Sequence, residues 1–133
     1  MAGTFKFELV SPERIVMSVD ADQVRLPGSD GDFTVLAGHS PVIANLRPGT
    51  VDVMVQGVTK RVFLKSGFAD VQPDVLTVLA KDATDVAELT GARLAAEIEM
   101  AELAFKDAKH DEDRRMAYDA VMQLKLLQGG KAA

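Results

Sequence analysis

The side chains best suited to chemistry lie in one glycine-rich segment, residues 28–49. It holds Asp30, Asp32 and His39, and carboxylate and imidazole groups serve in general acid–base catalysis or as metal ligands. Ser40 follows His39 directly, and neighbours in sequence do not form a nucleophile–base pair; the chain also has no GxSxG motif. A small hydrolase that used His39 would therefore lack a nucleophile, so we predict no catalytic residue.

The same segment has the pattern of a tight turn. Asp30 and Gly31 are a strong turn pair because glycine accepts a positive φ at no steric cost. An acidic loop tip of this kind faces solvent or a partner protein, a role more common than metal binding. No phosphate-binding loop or dinucleotide fingerprint is present, and there is no cysteine for thiolate chemistry. We therefore predict no metal or cofactor, and favour a binding module.

Three arginines in the second half are weaker candidates for a binding site. Arg93, Arg114 and Arg115 carry guanidinium forks that suit phosphate oxygens. The alternative, which we favour, is that they are solvated helix charges paired with nearby acidic residues.

Composition is that of a soluble globular protein, with 47% hydrophobic and 26% charged residues. The formal net charge is -5, and neither half is basic, so binding to nucleic acid or anionic lipid through bulk charge is not predicted. No apolar run approaches the ~18 residues of a membrane span, and the alternating N-terminal segment does not resemble a signal peptide. We expect no direct insertion into a membrane.

The first part of the chain, residues 1–84, predicts a β domain. Short alternating segments are separated by turn residues such as Pro27-Gly28, Pro48-Gly49 and Gly57. Residues 19–26 are predicted as one strand. This spacing favours an antiparallel sandwich or flattened barrel, and the absence of long crossover helices argues against parallel pairing.

The second part, residues 85–133, changes to a helical period. Asp85 and Glu88 have the spacing of a capping box, and apolar residues then recur every three or four positions. A polar break at residues 107–111 separates two amphipathic helices, which predicts an antiparallel two-helix hairpin. Helices of this length are marginal alone, so their apolar stripes must pack on each other, on the β domain or on a partner.

Two segments resemble the epsilon subunit of F-type ATP synthases, and the resemblance covers nearly the whole chain. They are residues 28–49, GSDGDFTVLAGHSPVIANLRPG, and residues 66–80, SGFADVQPDVLTVLA. Ala37 departs from the family, which usually has proline before Gly-His, and this changes only the stiffness of the loop. The resemblance implies a β-sandwich of about ten strands followed by a helical hairpin.

The resemblance also implies a function. The chain would be a non-catalytic central-stalk subunit of a proton-translocating ATP synthase. It would bind the gamma subunit and rest on the c-subunit ring, as a peripheral protein at the cytoplasmic face of the bacterial inner membrane. By position, the residues expected at the gamma and c-ring interface are Asp30, Gly31, Asp32, Gly38, His39 and Ser40.

For the hairpin, the resemblance implies regulation. In related proteins it leaves the sandwich, reaches the alpha/beta catalytic head transiently and inhibits ATP hydrolysis; some members hold it down with ATP through a Leu/Ile-Asp-x-x-Arg-Ala motif. Here Leu89 and Arg93 match that motif, but Thr90 replaces its aspartate and Leu94 its alanine. Gly91 would also lower helix stability by up to ~1 kcal/mol relative to alanine. We therefore expect weak or absent ATP binding.

Two alternatives remain open on sequence grounds. A freestanding binding module with a helical dimerisation arm would form a stable homodimer and co-purify with no membrane complex. A small hydrolase would lose its turnover when His39 is replaced by alanine.

Overall fold

The computed structural model describes residues 3–130, and within this range ten strands precede a short 3-10 helix and two α-helices. The predicted β-sandwich followed by a helical hairpin is confirmed. The strands are β1 Phe5–Val10, β2 Ile15–Ala21, β3 Gln23–Leu26, β4 Phe33–Leu36, β5 Val42–Leu46, β6 Gly49–Val55, β7 Val58–Leu64, β8 Ser66–Val71, β9 Val75–Lys81 and β10 Thr84–Asp85.

The strands form two five-stranded sheets that face each other across one core. The first sheet has the order β2-β1-β9-β8-β5 and the second β10-β7-β6-β3-β4. Alternation along each strand sends every second side chain inward. In β1, for example, Phe5, Phe7 and Leu9 are buried while Lys6 is exposed. The sandwich core includes Val24, Leu26, Val35, Val51, Val53, Leu64, Ala69, Val71, Leu76 and Val78.

One strand pair is parallel, contrary to the antiparallel pairing expected throughout. β1 pairs with β9 in parallel, with Phe7 opposite Leu76 and Leu9 opposite Val78. The expectation rested on the absence of a crossover helix. Here the connection between the two strands is most of the sandwich itself, β2 to β8, so no helix is needed.

The predicted single strand at residues 19–26 is two strands in different sheets. β2 ends at Ala21 in the first sheet, and β3 begins at Gln23 in the second. Asp22 lies between them; its N–H donates to the Met54 carbonyl at 2.8 Å, and its carboxylate accepts the Gln56 N–H at 2.7 Å. These bonds hold the chain where it changes sheets, which the apolar alternation alone does not reveal.

The helical part forms the predicted antiparallel hairpin with one local difference. Asp85 caps a 3-10 helix, Val86–Glu88, by accepting the Ala87 N–H at 2.9 Å, and does not cap the first α-helix. Helix α1 spans Gly91–Asp107 and α2 spans Asp111–Gly130. The inward stripe of α1 is Leu94, Ile98 and Ala101, and that of α2 is Ala120, Val121, Leu124 and Leu127.

The hairpin rests on the outer face of the second sheet. Phe63 of β7, 2% exposed, is the strand residue in the apolar cluster that also holds Val86, Leu89 and the two helix stripes. Lys65 Nζ lies 3.4 Å from Glu97 Oε1 of α1. No helix among the described residues has the length and hydrophobicity to cross a membrane.

Candidate partner-binding site

The acidic loop between β3 and β4 is a tight turn braced against β5. The Gly31 N–H donates to the Gly28 carbonyl at 3.1 Å, and the Ser29 N–H donates to the Asn45 carbonyl at 2.9 Å. Gly31 has a φ of 134°, in the range that favours glycine. Asp30 is exposed at the tip, so the loop presents this side chain to solvent or to a partner.

Asp32 differs from Asp30 because it is engaged within the molecule. Its Oδ2 accepts from Arg25 at 2.8 Å, and its Oδ1 accepts from Arg47. Asp30 forms no salt bridge with any residue between 3 and 130. The charge that this loop offers to a partner is therefore mainly that of Asp30.

The second predicted segment, Gly38 to Ser40, is a turn held by the β8–β9 connection. Gly38 has a φ of 83°, and its N–H donates to the Pro73 carbonyl at 2.7 Å. His39 Nδ1 lies 2.7 Å from its neighbour's carbonyl, that of Ser40; since a carbonyl only accepts, Nδ1 carries the proton. The imidazole thus braces the turn, and no hydrogen bond of the described chain pairs it with a carboxylate or a nucleophile.

The two segments lie at opposite ends of β4 but flank the same edge of the sandwich. The ring centroids of Phe33 and His39 are 6.5 Å apart. Between the acidic loop and β5 lies a groove of about 420 Å³, which is lined by Gly28, Ser29, Asp30, Gly31, Phe33, Val42, Ile43, Ala44 and Asn45. Ile43 is 71% exposed on this edge strand. The structure therefore places the predicted interface residues around one partly apolar edge.

The outer face of the first sheet carries apolar residues that sequence reasoning missed. Cross-strand register sets Val10 opposite Leu79, and Leu79 opposite Phe68. Phe68 is 39% and Leu79 40% exposed, and Ile15 lies beyond Val10 at 61%. The signal was present in β8 and β9, where large apolar residues stand at both alternating positions although only one face can join the core.

The three arginines of the hairpin are not brought together. Arg93 lies at the start of α1, and its guanidinium is 3.4 Å from the Glu88 carboxylate. Arg114 and Arg115 lie at the start of α2, about 20 Å away along the antiparallel helices. The Arg114 guanidinium contacts the Ala108 carbonyl at 3.4 Å and lies 6.0 Å from the Phe105 ring centroid.

Leu89, the fourth candidate of this group, is buried. It is 1% exposed, and it follows the 3-10 helix as part of the apolar cluster beneath the hairpin. Its contacts are those of a packing residue. Among residues 3–130, no three carboxylate or imidazole groups come close enough together to hold a metal ion.

Comparison with known proteins gives the family. The model of the family "ATP synthase, Delta/Epsilon chain, beta-sandwich domain" matches residues 4–86. The ATP synthase epsilon chain of Parvibaculum lavamentivorans is 43% identical over 128 residues, covering 96% of this chain and 97% of that protein. The epsilon chain of Chelativorans sp. is 42% identical over 130 residues, covering 97% and 96%.

Solved structures show the same fold at low identity. A chain of the Euglena gracilis mitochondrial ATP synthase structure, OSCP/F1/c-ring in rotational state 1, aligns with a TM-score of 0.75 at 20% identity, covering 98% of this chain and 82% of that one. A chain from the central stalk/c-ring structure of Tetrahymena thermophila mitochondrial ATP synthase aligns with a TM-score of 0.66 at 11% identity, covering 92% and 94%. The protein therefore belongs to the ATP synthase delta/epsilon family, as an epsilon chain and hence a non-catalytic subunit of that complex.

Proposed function

We propose that this epsilon chain transmits rotation within the central stalk by binding the gamma subunit and resting on the c-subunit ring. Two sheets that share an apolar core support this role, because cross-strand hydrogen bonds along both sheets resist shear. The chain works as a peripheral subunit at the cytoplasmic face of a bacterial inner membrane. The observation that carries the proposal is the exposed apolar row of the first sheet beside an acidic loop.

The outer face of the first sheet is the surface for gamma. Phe68 and Leu79 stand side by side and are 39% and 40% exposed, and Phe68 also borders a cleft whose other side is α2, at Arg115 and Met116. Apolar surface of this kind gains about 25 cal/mol per Å² when a partner buries it. Aromatic anchors near the centre of an interface carry much of its binding energy. Phe68 should therefore contribute more to gamma binding than the other residues of this surface.

The acidic loop is the surface for the c-ring. The family resemblance implies ring loops that are polar and carry arginine, and the exposed Asp30 would offer them charge complementarity. Asp32 contributes less because Arg25 and Arg47 already offset its charge. Instead it holds the loop in the shape that presents Asp30.

Cysteine crosslinking in the assembled complex tests both contacts, and the absence of native cysteine makes this direct. In membranes that carry single-cysteine variants, Phe68→Cys should crosslink to gamma and Asp30→Cys to the c subunit. Thr59→Cys, exposed on the other sheet, is the matched control and should give neither product. Crosslinks to gamma from Thr59 but none from Phe68 would refute the proposed orientation.

For the hairpin, we propose that the docked conformation leaves rotation free and that inhibition requires it to leave the sandwich. We also propose weak or absent ATP binding, because Thr90 supplies no carboxylate and Arg93 lies far from Arg114 and Arg115. Ending the chain after Glu88 removes both helices while keeping β10 and the 3-10 helix. If the hairpin acts as the brake, ATP hydrolysis by the complex rises; unchanged hydrolysis rejects a braking role.

Nucleotide binding is tested on the isolated subunit. Calorimetry with ATP should show no saturable heat at micromolar nucleotide. Tight binding that is lost in Arg93→Gln would overturn this part of the proposal.

A further inference from the structure

A second cleft lies between the outer face of the second sheet and α2, and it reaches the acidic loop at Asp32. Its volume is about 270 Å³. Three arginines line it, each from a different segment: Arg25 from β3, Arg47 from the β5–β6 connection and Arg61 from β7. The guanidinium groups of three segments therefore provide several hydrogen-bond donors around one cleft.

The arginines are held in place by carboxylates beneath them. Asp32 accepts from Arg25 and from Arg47, one on each oxygen. Asp52 lies between Arg25 and Arg61 in the cross-strand register, and its Oδ1 accepts from Arg61 Nε at 3.2 Å. Such contacts restrict the side-chain rotamers before any ligand arrives, which lowers the entropic cost of binding.

Most donors in the cleft are still available. A guanidinium has five N–H groups; the hydrogen bonds of the described residues use one from Arg25, one from Arg47 and two from Arg61, the second of these to Thr50 Oγ1 at 3.3 Å. The arginine charges also outnumber the two aspartates that line the same cleft, so its net charge is positive.

The hairpin forms one wall of this cleft. Gln123 and Leu126 of α2 line it opposite the arginines. An occupant would therefore touch both the sandwich and the hairpin. A ligand that binds only the docked form stabilises that form by mass action.

We propose that this cleft is a binding site for a phosphate-sized oxyanion, which connects the sandwich to α2. Its residues differ from the hairpin arginines considered for nucleotide binding, and its volume lies below the range of about 300–1,000 Å³ typical of sites for drug-sized ligands. Free orthophosphate, a substrate of ATP synthesis, fits this description. The cleft shares Asp32 with the acidic loop but contains neither Asp30 nor Phe68, so failure to bind phosphate would leave the proposed gamma and c-ring contacts intact.

A titration of the full chain with inorganic phosphate, followed by amide NMR at constant ionic strength with chloride as the balancing salt, tests the site. We expect saturable shifts at Arg25, Thr50, Arg61 and Gln123, and slower hydrogen exchange in α2. Arg61→Gln should weaken binding at least tenfold. Lys60→Gln, which removes the same charge from the next residue outside the cleft, should change affinity less than twofold.

Three outcomes would overturn the proposal. They are the absence of saturation up to ~10 mM phosphate, equal losses in Arg61→Gln and Lys60→Gln, and saturation of the same amides by ATP at tenfold lower concentration than phosphate. The last outcome would make the ligand a nucleotide. Should Arg61→Gln fail to fold, as judged by circular dichroism, Arg25→Gln replaces it, and undiminished binding in that variant would equally refute the site.

Discussion

The sandwich and the hairpin of this epsilon chain are packed in different ways. In the sandwich, every strand is hydrogen-bonded to at least one neighbour, and the core between the sheets includes side chains that are fully buried. The hairpin is held mostly by its own two helices. Phe63 is the strand residue of the cluster beneath it, and the Lys65–Glu97 ion pair is partly exposed.

This difference fits the separate roles proposed for the two regions. A region with few anchors opens at lower free energy than one whose core is continuous, and elements that move are drawn from the low-stability end. The sandwich therefore suits transmission of torque, and the hairpin suits regulation.

The largest expected effect comes from the sandwich core. Phe7→Ala removes a fully buried side chain and should lower the free energy of unfolding by about 4 kcal/mol, measured by urea denaturation. Phe68→Ala, the same replacement on the exposed outer face, should cost less than about 1 kcal/mol. Similar losses in the two variants would mean that the sandwich lacks the rigid core described here.

A smaller and more local effect is expected at the anchor of the hairpin. Phe63→Ala should lower the free energy of hairpin docking by about 3 kcal/mol, because the ring is 2% exposed between β7 and the helices. Limited trypsin digestion should then cut at Lys106 and Lys109 faster, while the sandwich stays intact. If the sandwich unfolds together with the hairpin, the two regions are one cooperative unit and the comparison fails.

Gly91 provides a third test. Its φ is 53°, and a Cβ there would meet no atom within 4 Å, so backbone strain is the only penalty. Gly91→Ala should destabilise the hairpin by about 1 kcal/mol, although glycine-to-alanine changes inside helices usually stabilise. Hydrogen exchange of α1 amides measures this; slower exchange in the variant would show that the helix start adopts ordinary helical backbone.

The smallest effect concerns the ion pair between the regions. Lys65→Gln should weaken docking by less than about 0.5 kcal/mol, because both side chains are partly exposed and salt screens them. A double-mutant cycle with Glu97→Gln isolates the coupling energy, which should vanish in 1 M salt. Coupling above 2 kcal/mol would mean that electrostatics, and not Phe63, holds the hairpin.

Local patterns predicted most of the fold. Short alternating segments with turn residues identified the β domain, and the helical period after residue 85 identified the two helices of the hairpin. The partner of β1 could not be predicted, because its pairing with β9 joins residues about seventy positions apart and leaves no local signal. The sequence predicted that Gly91 lowers the stability of the first helix. In the structure Gly91 is the first residue of that helix and has a positive φ, a backbone conformation that glycine adopts easily.

The site was predicted less completely. The glycine pattern located both turns, but it could not distinguish Asp30 from Asp32, since the arginines that engage Asp32 come from β3 and from the connection after β5. The apolar row at Phe68 and Leu79 was missed for the same reason. Neighbours across a sheet are set by register, and register is not visible in a single strand's composition.

Native-state hydrogen exchange of the full chain in increasing urea shows whether the sandwich and the hairpin open separately. We expect two classes of amides. Those of α1 and α2 should exchange through an opening of lower free energy, and those of β1, β6 and β9 only through global unfolding. A single class, in which helix and strand amides exchange with the same free energy and the same urea dependence, would contradict the separation of a rigid sandwich from a detachable hairpin.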